Sequence, residues 1–253
     1  MKTLLIIPAR NEVESLPPLL DELRERYPEY DILVIDDGSS DSTGQAARVG
    51  GARLLELPFN LGIGGAEQTG FIYAQRYGYE VVVRLDADGQ HPPQEVETLV
   101  CALLNSEADV VIGSRFLERD GFLSSWLRRV GICWLALLST LLTGQRITDS
   151  TSGFRAYRRD AFGFLARHNP QDYPEPEGVV LLARNGFRIE EVPIMMQERR
   201  MGRSSIRGPR TVYYMVKVTL ALLVAALREP TNVETSFVHP EPEAALADEK
   251  TLS

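Results

Sequence analysis

The sequence is poor in cysteine and has no excess of positive charge, and each shortage excludes a class of protein. Cys101 and Cys133 are too few for a disulfide framework or a cysteine-rich zinc cluster. Both lie in apolar, helix-like runs, which predicts buried free thiols. The formal net charge of -8 excludes the basic footprint of a nucleic-acid-binding protein, so no nucleic acid is expected as a partner.

Long uninterrupted hydrophobic runs are also lacking. The N-terminal run 3–7 is too short for a signal peptide and predicts the first strand of a cytoplasmic protein. The apolar stretch 212–227 is shorter than the roughly 20 residues that a membrane span needs, which favours an interfacial or buried helix. Arg128 and Arg129 interrupt the run 122–142, so that stretch is typical of an amphipathic helix rather than a spanning one.

What is present is the alternation of short apolar strands with helices. The chain has 253 residues, 44% of them hydrophobic, which suffice for one α/β domain. We expect this domain at 1–228, with a nucleotide-sugar-binding half (1–115), an acceptor and interface half (116–228), and a disordered acidic tail (229–253). Strands are predicted at 3–7, 31–35, 53–57, 80–85, 109–113 and 187–194, and helices near 13–27, after 43, and at 65–77, 95–104, 122–142, 177–185 and 212–227. This order indicates a mainly parallel sheet, whose ligands bind beyond the carboxyl ends of the strands.

Two carboxylates, those of Asp86 and Asp88, directly follow one predicted buried strand. Carboxylates spaced one residue apart can share a hard cation such as Mg²⁺ or Mn²⁺, which would neutralise a diphosphate. The alternative is an ordinary surface turn, because Asp and Gly are turn formers. The continuation through Gln90 into His91 and a proline favours the metal site.

A second acidic cluster, which contains Asp36 and Asp37, ends another strand, and a glycine-rich turn with Gly62 and Gly65 opens a helix. The carboxylates could accept hydrogen bonds from a base or a ribose, or the cluster could cap the next helix. The turn is not a P-loop, because no Lys followed by Ser or Thr comes after its last glycine. Close approach of its backbone to a nucleotide fits better.

Taken together, these motifs resemble the inverting family 2 glycosyltransferases, and most of all the polyprenyl- or dolichyl-phosphate mannosyl- and glucosyltransferases. The matching stretches are 8–12, 36–41, 60–66, 86–92, 113–115, 149–155 and 202–206. The resemblance implies a GT-A fold, a Rossmann-like mixed sheet flanked by helices, with amphipathic interface helices in the second half. It covers about residues 2–227, with the motifs in the expected order.

The resemblance also implies roles for individual residues. It assigns Asp86, Asp88 and Gln90 to the metal and Arg115, Arg128 or Arg129 to the acceptor phosphate, which guanidinium groups grip in a fork. For the two consecutive arginines the alternative is a solvated helix face. Nucleotide-sugar contacts are expected from Pro8, Arg10, Glu12, Asp36, Asp37, Gly62, Gly65, Asp86, Ala87, Gln90, Arg199 and Ser204, the last two on a closing loop.

Two departures from the family pattern bear on the acceptor. No pair of transmembrane helices follows the stretch 212–227, and the Gln-x-x-Arg-Trp motif of processive synthases is lacking. Glu175 and Glu177 fall near the place where many relatives carry a catalytic Asp, so they are candidate bases. With Asp88 and Arg115, they make up the expected catalytic residues. They could equally be the N-terminal acids of a helix that begins with proline.

The sequence therefore predicts transfer of a hexose from a UDP- or GDP-linked sugar to a polyprenyl-phosphate acceptor, with inversion. The enzyme is expected to bind peripherally to the cytoplasmic face of the membrane; a small integral membrane partner and a homo-oligomer are open expectations. Two alternatives stand beside this: a soluble family 2 enzyme that glycosylates a glycan hydroxyl in cell-envelope synthesis, and a non-catalytic membrane-binding scaffold. The loop at 8–12 disfavours a nucleotidyltransferase, which would carry a Gly-rich, Arg-Lys loop there.

Overall fold

A computed structural model describes residues 1–117, 126–196 and 210–229. The strands are β1 (Thr3–Ala9), β2 (Asp31–Asp36), β3 (Arg53–Glu56), β4 (Val81–Arg84), β5 (Val110–Ser114), β6 (Arg155–Arg158) and β7 (Ile189–Pro193). The helices are α1 (Leu16–Arg26), α2 (Thr43–Val49), α3 (Ile63–Arg76), α4 (Glu95–Asn105), α5 (Trp126–Thr143), α6 (Arg159–His168), α7 (Pro174–Arg184) and α8 (Arg210–Leu227). The expected alternation of strands and helices is confirmed.

The strands form one mixed sheet in the order β3-β2-β1-β4-β6-β5-β7. All described pairs are parallel except the two that β6 makes with β4 and β5. The mixed, mainly parallel sheet that the expected GT-A fold implies is therefore confirmed. Neither β6 nor α6 was predicted, because Arg155–Arg158 is a short strand with two arginines and no apolar run.

Helices cover both faces of the sheet, which explains the nearly unbroken apolar strands. All seven residues of β1 are buried, and its side chains alternate between two cores. Leu5 and Ile7 pack with α1 and α4, while Leu4 and Ile6 pack with α3 and α6. Strands of parallel sheets are buried on both faces and read as continuous hydrophobic runs for this reason.

The second half adds a smaller core between three helices. Leu135 of α5 packs with Val180 of α7 and with Val218, Leu222 and Ala225 of α8. The opposite faces of α5 and α8 expose large apolar side chains, which we name the apolar face: Val130, Trp134, Leu137, Leu141, Tyr213, Val216, Leu220, Leu223, Val224 and Leu227. Along the described stretches, no helix combines the length and the apolar character that crossing a bilayer requires.

The expected burial of the two cysteines is wrong, and two predicted segments lie partly or wholly outside the described residues. Cys101 and Cys133 are exposed, not buried, because α4 and α5 carry apolar residues around most of their circumference and the sequence does not reveal which side meets the core. The start of the predicted helix 122–142 and the acidic tail beyond residue 229 lie outside the described residues.

Gly38 generates a prediction about how the loops at the sheet edge are held. Its φ is +66°, and a Cβ there would lie 2.8 Å from the backbone nitrogen of Asn60. We expect Gly38→Ala to lower the free energy of unfolding by about 2–5 kcal/mol, because left-handed strain adds to a backbone clash. Denaturant unfolding measures this change.

Gly144→Ala is the matched control. Gly144 has a φ of +68° but nothing within 4 Å of the added carbon. It should lose only the conformational part, about 1–2 kcal/mol. Equal losses in the two variants would contradict a steric role for Gly38.

Candidate functional site

The carboxyl ends of β2, β1 and β4 lie side by side, and each leads into one of the predicted motifs. The loops after β1 and β2 are tied together directly. The backbone nitrogen of Asn11 donates to Ser39 Oγ at 3.0 Å, and Ser40 donates back to Asn11 Oδ1 at 2.8 Å. The sheet therefore brings the acidic clusters to one edge, as the strand order of an α/β fold requires of a ligand site.

Asp37 holds the glycine-rich turn. Its carboxylate accepts hydrogen bonds from the backbone nitrogens of Leu61 at 2.6 Å and Gly62 at 3.0 Å. Asp37 is only 5% exposed, so both of its carboxylate oxygens face the protein. Within the described contacts, Asp37 fixes the start of α3; its predicted contact with a nucleoside stays a prediction.

The other predicted nucleoside residues line the same edge. Pro8 is buried at the end of β1, Arg10 is exposed, and Glu12 accepts a hydrogen bond from Ser15 Oγ at 2.5 Å. Asp36 accepts from the backbone nitrogen of Ser39 at 2.9 Å, which turns the chain after β2. The position of these residues agrees with a nucleotide site, and their individual roles remain predictions.

Asp86 and Asp88 leave the end of β4 in different environments. The Asp86 carboxylate is 36% exposed, whereas Asp88 is buried at 5% and accepts a hydrogen bond from the backbone nitrogen of Gln90 at 3.0 Å. Buried Ala87 lies between them. Two carboxylates suit Mg²⁺ or Mn²⁺, which usually take one or two from the protein and complete their shell with phosphate oxygens and water.

The described residues contain no group of three or more His, Cys, Asp or Glu side chains arranged to hold a metal. A cation at Asp86 and Asp88 would therefore depend on a bound diphosphate for further ligands. This sparse donor set fits the predicted cofactor.

Two basic side chains surround Asp86. Nη2 of Arg84 lies 2.8 Å from Asp86 Oδ1. His91 is buried, accepts a hydrogen bond from the Asp86 backbone nitrogen through Nδ1 at 3.0 Å, and stacks on Phe154. Burial lowers the pKa of His91, so it remains neutral and supports the turn that carries Asp86.

Arg84 is itself enclosed by acidic groups. Its side chain is 2% exposed, and Nε lies 2.8 Å from Glu67 Oε1 on α3. Nη2 also lies 3.4 Å from Glu175 Oε1 on α7. Burial raises the pKa of Glu67 to about 7, although Arg84 opposes that rise.

The two candidate bases occupy different surroundings. Glu175 reaches Arg84 and hence the neighbourhood of Asp86. Glu177 is half-buried in the same helix. Burial raises its pKa, and the nearby charges that act on it are Arg228, which lowers the pKa, and Asp172, which raises it. The structure thus places Glu175, and not Glu177, beside the proposed metal ligands.

Arg115 is held in a fork by a buried carboxylate. Nε and Nη2 donate to the two oxygens of Asp149 at 2.6 and 2.7 Å, and Nη2 also reaches Thr151 at 2.6 Å. Glu191 of β7 fastens the Asp149 backbone nitrogen at 2.8 Å. These contacts fix the guanidinium; its contact with an acceptor phosphate remains a prediction.

Four predicted residues cannot be placed. Arg128 and Arg129 belong to the first turn of α5, but their side chains lie outside the described part of the chain, as do Arg199 and Ser204 altogether. Sequence reasoning in turn missed Glu67, Arg84 and Asp149 as parts of the site. A charged residue inside an apolar strand or helix was the available signal for the first two.

A comparison with protein families gives one match. The family described as "Glycosyl transferase family 2" matches residues 4–165, more than half of the chain. That stretch contains the loops after β1 and β2, the glycine-rich turn, Asp86, Asp88 and Arg115.

Curated relatives match over most of their length. The chain is 39% identical over 233 residues to an undecaprenyl-phosphate mannosyltransferase of Micrococcus luteus, covering 87% of this chain and 93% of the relative. It is 36% identical over 231 residues to a polyprenol monophosphomannose synthase of Mycolicibacterium smegmatis, covering 86% and 85%.

Among solved structures, the chain is similar to glucosyl-3-phosphoglycerate synthase from Mycobacterium tuberculosis in complex with Mn²⁺ and UDP-glucose. The TM-score is 0.66 at 21% identity, with 91% of this chain and 80% of the other covered. At that identity the likeness shows the fold alone. With the family match, the two relatives and the sheet-edge geometry in agreement, this chain belongs to glycosyl transferase family 2.

Proposed function

We propose that this protein transfers a hexose from a UDP- or GDP-linked sugar to a polyprenyl-phosphate-type acceptor at a membrane surface, with inversion. The observation that carries the proposal is its likeness to an undecaprenyl-phosphate mannosyltransferase across both halves of the chain. A fold-level likeness alone would support many transferases, since function depends on the site rather than the fold.

The donor half of the proposal is supported by the sheet edge. The loops after β1 and β2 and the turn held by Asp37 form a backbone frame, and Asp86 and Asp88 follow β4, the strand beside β1. Mg²⁺ or Mn²⁺, when bound with the donor, would neutralise charge that develops on the departing diphosphate. The chain contributes the two carboxylates that would hold the ion.

The acceptor half is supported by the apolar face of α5 and α8. Its side chains include Trp134, 49% exposed, and Leu141, 72% exposed. Trp134 Nε1 donates to Thr219 Oγ1 of α8 at 3.1 Å, which joins the two helices near this surface. An amphipathic surface with aromatic residues is typical of interfacial binding, and the protein would then be peripheral on the cytoplasmic face.

The proposed reaction needs little proton transfer. A phosphate oxygen of the acceptor would attack the anomeric carbon as the bond to the nucleoside diphosphate breaks, which inverts the configuration. Such a phosphate is already ionised near neutral pH. Arg115, fixed by Asp149, and Arg128 or Arg129 at the start of α5 would orient it, since guanidinium groups pair well with phosphate.

A glycan hydroxyl is the second candidate acceptor, and the position of Glu175 favours it. A hydroxyl must lose its proton, and Glu175 shares Arg84 with Asp86 and is 22% exposed, whereas Glu67, the other acid at Arg84, is buried. The same loops would bind the donor in either case. The two acceptors are distinguished by whether the labelled product partitions into organic solvent.

The first test measures transfer of radiolabelled sugar to polyprenyl phosphate with Mn²⁺ or Mg²⁺. We expect an organic-extractable product that disappears with EDTA. Asp88→Asn should lower the rate by about 100-fold or more, because it removes a ligand charge where a diphosphate must be stabilised. Its melting temperature should stay close to that of the wild type.

Asp160→Asn is the control, since Asp160 is an exposed acid in the first turn of α6. It should transfer sugar normally. Full activity of Asp88→Asn would remove the metal hypothesis, product confined to the aqueous phase would favour the glycan acceptor, and a wild type that neither binds nucleotide nor transfers sugar would favour a non-catalytic scaffold.

The second test measures co-sedimentation with vesicles that contain anionic lipid and polyprenyl phosphate. The double variant Leu137→Glu, Leu220→Glu should bind at least about tenfold more weakly, because each leucine contributes roughly 1–2 kcal/mol on burial. These side chains are 54% and 57% exposed, so the fold should tolerate the change.

The control, Ile72→Glu with Leu104→Glu, changes apolar residues of similar exposure, 51% and 45%, on α3 and α4. It should sediment like the wild type. A wild type that ignores every vesicle would replace the membrane proposal with the soluble glycan transferase, and a size-exclusion shift caused by the first double variant would assign the apolar face to a second copy of the chain.

A further inference from the structure

Resting on the proposed metal site, we infer that Arg84 and Glu67 are positioning residues, which hold the Asp86 carboxylate in the orientation that binds the cation. Neither residue would touch substrate. Their role would be to fix a ligand through a buried chain of contacts that runs from α3 through β4 to the end of the strand.

The contacts form a fork with one partner on each side. Arg84 Nε lies 2.8 Å from Glu67 Oε1, and Nη2 lies 2.8 Å from Asp86 Oδ1. Glu67 and Arg84 are 4% and 2% exposed. Neither side chain can move without leaving a cavity, so Arg84 fixes Oδ1 of Asp86. Oδ2 lies 3.6 Å from His91 Nε2, and the carboxylate therefore has few orientations available.

Gly153 completes this enclosure. A Cβ at that position would lie 1.3 Å from Arg84 Nη1, a distance that no packing adjustment short of moving the guanidinium could relieve. Among the described residues, Nη1 is buried with no hydrogen-bond partner, and Nε contacts Glu67 as an ion pair without making a hydrogen bond. The glycine therefore provides the space in which the guanidinium lies, and the fork keeps its position at the expense of two buried donors, Nε and Nη1, that make no hydrogen bond.

The cost of this arrangement argues for a role beyond stability. Burying an arginine against acids is often no better for stability than well-packed apolar residues of similar volume. Partners of metal ligands, in contrast, commonly change metal affinity by about 10- to 100-fold when they are removed. Control of metal affinity is the effect that this geometry can produce.

The experiment compares metal affinity with stability in the full-length protein. Mn²⁺ binding is measured by the EPR signal of the free ion, with UDP or GDP present, whichever stabilises the wild type more, and a protein-free nucleotide blank. We expect Arg84→Met and Gly153→Ala each to weaken Mn²⁺ binding by about tenfold or more. In the Arg84→Met background, Gly153→Ala should add less than about twofold, because both changes act through one guanidinium.

The double variant Glu67→Leu, Arg84→Met separates positioning from packing. It replaces the pair with apolar residues, so its melting temperature should recover toward that of the wild type. Its Mn²⁺ affinity should remain as weak as that of Arg84→Met. Recovery of both quantities would show a purely structural pair and overturn the inference.

Arg84→Lys tests the fork against the charge alone. Lysine keeps the charge but cannot reach Glu67 and Asp86 in the same plane, so weak Mn²⁺ binding is expected, and wild-type binding would overturn the inference. If Arg84→Met does not fold, Arg84→Lys serves as the background for Gly153→Ala. Variants that bind Mn²⁺ like the wild type overturn this inference only, whereas a wild type that binds no Mn²⁺ overturns the proposed metal site as well.

Discussion

The guanidinium of Arg84 is fully enclosed, and several parts of the molecule depend on its place. It contacts Glu67 on α3, Asp86 at the end of β4 and Glu175 on α7. Removing one partner of such a buried charged group typically costs about 3–5 kcal/mol, because the other charge is left without compensation. Helix α3 begins at the glycine-rich turn, so this cluster also joins the loops proposed to bind the nucleotide to the proposed metal ligands.

The motif at 149–155 shows how one loop supports that cluster. Asp149 holds Arg115, Gly153 leaves room for Arg84, and Phe154 stacks on His91 at 4.8 Å. Arg155 donates to the backbone oxygens of its own loop. Most of this motif therefore positions other residues, and its buried polar side chains are hydrogen-bonded except for Ser150 Oγ.

The second half of the chain combines a small core with an exposed apolar surface. Helices α5, α7 and α8 bury a small core around Leu135 and Val218, yet they leave the apolar face open. Contiguous exposed apolar surface is uncommon on soluble monomers and usually marks a binding surface. It lies in the half that carries the start of α5, and Arg115 directly precedes that half in the chain.

The sequence by itself determined the alternation of strands and helices and the position of Asp86 and Asp88 after a buried strand, because periodicity and strand ends are local properties. Tertiary structure alone decided the antiparallel place of β6, the exposure of Cys101 and Cys133, and the choice of Glu175 over Glu177 as a neighbour of the site. It also brought Glu67 to Arg84 across 17 residues of chain. Such contacts depend on which face of each helix meets the sheet, and a hydrophobic pattern that covers most of a helix does not specify that face.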